Sequence, residues 1–299
     1  MLSFGLGEVA ALITSLSWAG SNYIHTAIGL RIGGPGVTMA RAPLYVAATA
    51  LVALFSGVPF SMPEGTYFFL AISGIFGVAL CDSFLYAGSV LVGSRLAVLM
   101  QSLSACLTAI LGYLFLNEPM NAMCAMGILT ATFGVAFVLM EGGLQTGTIA
   151  ITRAQFTRGI VLTFLSALFL AISFMLLKRA LAFGIHPVWA VCVRMSTGLA
   201  CLWIVTLVLG KLLPVLKTAW TNASIVKLML FGATVATIGN CLSAFAMKHT
   251  DTGIAATLIG LQPIMVMFII TAVDKKLPSL RAVVGTLIAF SGAVMIFLR

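Results

Sequence analysis

The sequence predicts an all-α integral membrane protein with ten transmembrane helices, arranged as two inverted five-helix repeats around a central cavity. Its 299 residues are 61% hydrophobic and only 8% charged, whereas a soluble domain carries roughly 25% charged residues. The mean hydropathy is +1.17. A chain so poor in charge cannot build a water-soluble surface, so a lipid bilayer must be its solvent.

Ten apolar segments approach the length of about 20 residues that crosses a hydrocarbon core. Turn-forming residues separate them, as in Gly33-Gly34-Pro35-Gly36 and Asn117-Glu118-Pro119. In chain order the predicted spans are 8–30, 36–58, 67–90, 94–116, 120–141, 158–183, 186–209, 224–248, 251–273 and 277–298. Residues 211–223 are expected to lie on the membrane surface.

An internal repeat relates the two halves of the chain. Residues 127–140 return 158 positions later as residues 285–298, and both copies place two glycines seven apart on one helix face. Because each copy holds five spans, an odd number, the second copy enters the membrane from the opposite side. The predicted organisation is a first repeat at 1–141, a loop at 142–157 and a second repeat at 158–299.

The basic residues predict an orientation. Most of those outside the spans fall on the side of the odd-numbered loops, which the positive-inside rule places in the cytoplasm. Four lie on the side that carries both chain ends: Lys178, Arg179, Lys248 and Arg299. Both termini are therefore expected to face outward.

Arg41, Asp82 and Arg194 lie inside predicted spans, where each charge costs roughly 2.5–3.5 kcal/mol to insert. Arg41 and Asp82 could form a structural pair, or Asp82 could bind a proton or a cationic group during transport. The repeat places Arg194 opposite Arg41 and Asn240 opposite Asp82. With no carboxylate assigned to it, Arg194 could extend to the membrane interface or hold the carboxylate of a substrate.

Polar side chains recur at helical spacing on several spans, which places them on single helix faces. Such faces bond to each other or line a wet cavity, and the mixture of aromatic and amide groups favours a cavity. The stripes are Thr14, Trp18, Asn22 and His25 on span 1, Asp82, Tyr86 and Ser89 on span 3, and Thr237 and Asn240 on span 8.

Gln262 and Pro263 predict a break in span 9. Proline lacks an N–H and interrupts the helix, which in transporters marks a binding site or hinge but also occurs as a passive kink. The first repeat has Ala105 at the equivalent position, so no break is expected there. Gln101 is the only amide in that first-repeat span.

These patterns resemble the drug/metabolite transporter superfamily and, within it, the ten-span EamA-type permeases. The resemblance is carried by Ser-Leu-Ser-Trp-Ala-Gly-Ser-Asn at 15–22, Leu-Asn-Glu-Pro at 116–119 and the paired glycines of spans 5 and 10. The opening stretch is similar to the YddG-type exporters of aromatic and other neutral amino acids. The second repeat departs from the pattern, with Asp-Lys-Lys-Leu-Pro at 274–278.

The resemblance implies a central cavity lined by spans 1, 3, 4, 6, 8 and 9, with spans 5 and 10 at the periphery. Transferred to this sequence, its substrate-binding residues are Trp18, Asn22, Asp82, Tyr86, Gln101, Ser173, Asn240 and Gln262, with Lys178 as a further candidate.

We therefore expect a secondary transporter that exports small metabolites, foremost neutral or aromatic amino acids, across the bacterial inner membrane by alternating access. The expected partners are a small-molecule substrate, the bilayer and a coupling proton, but no nucleic acid, and the chain is expected to act as a monomer. No enzyme, metal or cofactor motif is present. The alternatives are export of cationic drugs, purines or sugar derivatives on the same fold, and a channel.

Overall fold

The fold consists of α-helices joined by short loops, with no strand among the described residues. The computed structural model describes residues 5–116, 120–139, 152–275 and 277–297. The helices are α1 (Leu6–Ile32), α2 (Gly34–Phe55), α3 (Thr66–Gly74), α4 (Asp82–Gln101), α5 (Leu103–Leu116), α6 (Ala122–Leu139), α7 (Arg153–Leu181), α8 (Pro187–Val208), α9 (Leu212–Thr221), α10 (Ala223–His249), α11 (Thr252–Ile259), α12 (Gln262–Asp274) and α13 (Leu280–Phe297). A π-helical segment, Ile75–Cys81, joins α3 to α4.

The all-helical membrane fold is confirmed. By length and composition, five continuous helical stretches of the described chain can each cross a membrane. They are Gly34–Phe55, Thr66–Leu116, Arg153–Leu181, Pro187–Val208 and Ala223–His249. The longest bends at Gly93, whose φ of 82° and ψ of 156° lie between predicted spans 3 and 4. The total of ten spans stays a prediction.

Local sequence signals set the helix starts. Thr152 and Gln155 form a capping box at the start of α7, each side chain accepting a hydrogen bond from the other residue's backbone N–H. The helix begins at Arg153, five residues before the predicted span at 158–183, because the capping box fixes its start. The rest of the predicted loop, up to residue 151, and the Asn117-Glu118-Pro119 turn lie outside the described residues.

The two repeats meet face to face along α6 and α13, where glycines let the backbones touch. A Cβ atom on Gly134 would lie 2.7 Å from the Gly285 carbonyl oxygen, and one on Gly292 would lie 2.6 Å from the Gly127 carbonyl oxygen. Residue numbers thus rise along α6 as they fall along α13. These equivalent helices run antiparallel, as an inverted repeat requires.

The remaining helices interleave the repeats. Helix α1 of the first repeat packs along α10 of the second. In the equivalent contact, α7 of the second repeat packs along α4 of the first. Helices α2 and α8, which occupy equivalent places, contact each other. A site at the centre of this arrangement therefore draws side chains from both halves of the chain.

Candidate functional site

A small buried cavity of about 40 Å³ lies where the repeats meet. Helices α1, α2, α4, α7, α8 and α10 and the π-helical segment contribute to its wall. Its lining residues are Trp18, Ser21, Asn22, Arg41, Tyr45, Gly77, Val78, Cys81, Asp82, Leu85, Tyr86, Gln101, Leu170, Arg194, Met195, Ala236 and Asn240. A water molecule needs roughly 10–15 Å³ by this measure, so the described conformation holds a few waters at most and is closed to a larger molecule.

Six of the predicted binding residues line this cavity: Trp18, Asn22, Asp82, Tyr86, Gln101 and Asn240. The other two, Ser173 and Gln262, are not in the cavity wall. Ser173 hydrogen-bonds to Arg194 and Gln262 to Asn22, which are both lining residues. Lys178 lies elsewhere, at the end of α7, where its ammonium donates to the Thr250 carbonyl oxygen at 2.6 Å. The structure therefore gives no support to Lys178 as a cavity residue.

Arg41 and Asp82 form an ion pair across α2 and α4. The Arg41 guanidinium also donates to the Tyr45 hydroxyl. It lies over the rings of Tyr45 and Tyr86, 4.5 and 4.6 Å from their centroids. These contacts pair a charge whose side chain is only 4% exposed, although its Nε has no hydrogen-bond partner in the described chain, while the Asp82 side chain keeps 22% of its surface open. Of this pair, the carboxylate is therefore the group available to a ligand.

Asn22 joins helices from both repeats through a chain of hydrogen bonds. The Tyr86 hydroxyl donates to Asn22 Oδ1 at 2.7 Å, and Asn22 Nδ2 donates to Gln262 Oε1 at 3.1 Å. His25 Nδ1 lies 3.4 Å from the Tyr86 hydroxyl. Because these groups sit on α1, α4 and α12, movement of any one helix would alter the polar wall.

Arg194 does not extend to the membrane interface. It is 2% exposed, and its Nη2 donates to the Ser173 hydroxyl at 2.9 Å. Within the described chain, its Nε and Nη1 have no hydrogen-bond partner. The π-helical segment makes room for this side chain, because a Cβ atom on Gly77 would come within 3.2 Å of Arg194 Cζ.

Ser173 is held by a reciprocal contact between α3 and α7. Its hydroxyl donates to the Ser73 carbonyl oxygen at 2.7 Å, and the Ser73 hydroxyl donates to the Ser173 carbonyl oxygen at 2.8 Å. Both residues are fully buried. The partner of Arg194 is thus fixed by two helices, which orients the guanidinium toward the cavity.

The aromatic and amide parts of the wall come from α1 and α4. Trp18 stacks on Phe174, with ring centroids 6.1 Å apart and an interplanar angle of 14°. Gln101 Nε2 lies 3.4 Å from the Ser166 hydroxyl and 3.6 Å from the Cys81 sulfur. The wall therefore combines the aromatic ring of Trp18 with the amide of Gln101, which can donate and accept hydrogen bonds.

Span 9 is broken just before Pro263: α11 ends at Ile259 and α12 begins at Gln262, with Pro263 as its second residue. The expectation that the first repeat has no such break was wrong. Ser102 ends α4 in a turn, with its hydroxyl donating to the Leu99 carbonyl oxygen at 2.7 Å. That hydroxyl occupies a backbone carbonyl of the helix, whereas proline leaves a carbonyl without its N–H donor. Both repeats are interrupted at equivalent positions.

A second cavity of about 20 Å³ lies beside these breaks, among α4, α5, α6, α12 and α13. Its wall is apolar apart from Ser102 and Thr286. It contains no charged side chain, so it offers room for helix movement and little for recognition.

Sequence reasoning missed three residues of the site. Tyr45 follows Arg41 by one helical turn, a spacing that could have indicated their contact. Cys81 directly precedes Asp82, but a cysteine in an apolar span is most often a small buried hydrophobe and so carried little signal. Ser73 carried no signal, because a lone serine in an apolar span is common.

Comparison with known proteins matches the EamA-like transporter family to residues 5–140 and again to residues 157–298. The chain belongs to the EamA-like transporter family. It is therefore a multi-pass membrane transporter of the drug/metabolite type.

A solved crystal structure is similar in fold, with a TM-score of 0.74 over 98% of this chain and 96% of the other. Its sequence is only 14% identical, so it supports the fold alone. No curated protein matches the chain in sequence.

Proposed function

We propose that this transporter exports small neutral or aromatic amino acids across the bacterial inner membrane. The observation that carries the proposal is the cavity between the repeats. Its wall includes two aromatic residues, Trp18 and Tyr86, together with an ionic carboxylate, Asp82, and a second cation, Arg194. A zwitterion with an apolar side chain presents the groups that complement this set.

Each lining group has a role in this proposal. Trp18 and Tyr86 stack on the apolar part of the substrate, while Asn22 and Asn240 bond to its polar end and Gln262 orients Asn22. Asp82 meets the amine or carries the coupling proton. The chain works as a monomer, since both halves of the pathway belong to one polypeptide.

The small volume of the cavity supports alternating access. A volume of about 40 Å³ is far below the roughly 300 Å³ or more of a small-molecule pocket, so the repeats must separate to admit a substrate. The breaks at Ser102 and Pro263 lie where such a movement can bend the helices.

Counterflow of a mixed pool of labelled neutral amino acids in proteoliposomes tests the proposal. Labelled phenylalanine, leucine or tyrosine should accumulate only when the unlabelled compound is trapped inside. Ion conductance without counterflow would instead identify a channel. Protection of growing cells against toxic amino-acid analogues but not against cationic dyes would separate amino-acid export from drug export.

The charges of the wall argue against a cationic drug as cargo. Asp82, the one carboxylate among the lining residues, is already paired with Arg41, and Arg194 adds a second positive charge. A cation without a carboxylate would add to this net positive charge, whereas a zwitterion brings a carboxylate that offsets Arg194 while its amine meets Asp82.

A further inference from the structure

We propose that Arg194 binds the carboxylate of the transported molecule, so that the substrates are small carboxylic acids. This inference rests on the proposed transport function and assigns a recognition group within the same site. Its basis is a guanidinium that is 2% exposed, lines the cavity and keeps two nitrogens without partners in the described chain.

The unused donors have the geometry of a carboxylate site. A guanidinium has two edges that each present a pair of parallel N–H groups, one formed by Nε with Nη2 and the other by Nη1 with Nη2. Nη2 has one N–H on each edge and donates one of them to the Ser173 hydroxyl. The edge that contains its other N–H therefore keeps both of its donors. Nε and Nη1 are both unengaged. Both nitrogens are buried in the described conformation. Once the cavity opens to them, a carboxylate can be bound bidentately without breaking the existing hydrogen bond.

Burial makes such a vacant edge costly unless a ligand completes it. Buried polar groups are nearly always hydrogen-bonded, and a desolvated charge without partners is strongly unfavourable. The equivalent arginine of the first repeat, Arg41, has its ion pair and its tyrosine partner. Arg194 hydrogen-bonds one neutral serine instead, and Asp82 acts on it through its charge without forming an ion pair among the described residues. The difference between two residues at matching positions indicates that one is structural and the other is reserved for a ligand.

The charge of the cavity wall points the same way. Its arginine and carboxylate side chains are Arg41, Asp82 and Arg194, which leaves one net positive charge once the first two are paired. The carboxylate of a substrate neutralises that charge. An amide, an ester or an amine of the same shape does not.

The test is phenylalanine counterflow in proteoliposomes with the wild type, Arg194→Gln, Arg194→Lys and, as a matched control, Arg179→Gln, which removes an exposed arginine of α7. We expect Arg194→Gln to raise the KM by about 10- to 100-fold, the factor for losing a hydrogen bond to a charged group. Arg194→Lys keeps the charge but loses the two-donor edge, so its increase is smaller. The control should match the wild type.

Competition in the wild type needs no variant and covers the case in which Arg194→Gln does not fold. Phenylalanine and 3-phenylpropanoate should inhibit counterflow, whereas phenylalaninamide should not. An unchanged KM in a folded Arg194→Gln protein, or inhibition by the amide equal to that by the acid, would overturn the assignment while leaving amino-acid transport intact.

A thermal-shift measurement separates the two proposals if the wild type transports no amino acid. Stabilisation of the wild type by 3-phenylpropanoate, reduced in Arg194→Lys and retained in Arg179→Gln, would support the carboxylate site while rejecting amino-acid export. Absence of stabilisation together with absence of counterflow would reject both.

Discussion

Replacing Asp82 with Asn should destabilise the fold by about 3 kcal/mol, because it leaves the buried Arg41 without its counter-charge. Removing one partner of a buried ion pair typically costs about 3–5 kcal/mol. Here the lower end applies, since the Asp82 side chain keeps 22% exposure and Arg41 retains the Tyr45 hydroxyl and two ring faces. For a chain of this size, that corresponds to a fall of roughly 5–10 °C in the melting temperature.

Thermal unfolding of the detergent-solubilised protein, followed by a thiol-reactive dye, measures the effect. The control is Glu64→Gln, which removes an exposed carboxylate and should leave the melting temperature unchanged. The double variant Asp82→Asn with Arg41→Met should recover most of the loss, because no unpaired charge is left. A single variant as stable as the control, or a double variant less stable than the single one, would refute the reasoning.

Three further outcomes are expected. Gly134→Ala should lower the melting temperature, at a cost of about 1–3 kcal/mol, because the added Cβ meets the backbone of α13. In the control Gly20→Ala, the added Cβ has no atom within 4 Å, so the melting temperature should stay unchanged or rise. Tyr86→Phe should raise the KM for counterflow several-fold, as it removes a hydroxyl bound to an amide on α1, whereas Tyr113→Phe at an exposed position should not. Pro263→Ala should reduce the maximal rate more than the affinity in the same assay, and an unaltered rate would show that the break is passive.

The sequence was a good guide to the fold because composition and repetition act along the whole chain. The hydropathy indicated that the secondary structure is helical. The offset of 158 residues already identified the glycines of α6 and α13 as equivalent in the two repeats. The break at Ser102 could not be foreseen in the same way. Serine ends a helix only when its hydroxyl competes for backbone bonds, and whether it does so depends on neighbours that the sequence does not specify.

The candidate site was accessible to sequence reasoning in part. Helical spacing placed Trp18, Asn22 and Tyr86 on inward faces, because a bilayer penalises polar groups that face lipid. It could not decide the side-chain direction of Arg194. A long arginine near a helix end can turn to the interface or to the interior, and only the space above Gly77 shows that it turns inward.

Arg41 and Arg194 occupy equivalent positions but have different neighbours. The cavity between the repeats therefore has two chemically different ends. A molecule that straddles the pseudo-two-fold axis finds an acid at one end and none at the other, although both halves arose from one unit. Asymmetric cargo can consequently lie in one direction only. Duplication supplied both halves of the pathway. The divergence of one pair of positions, Asp82 and Asn240, was enough to make the two ends of the cavity chemically different.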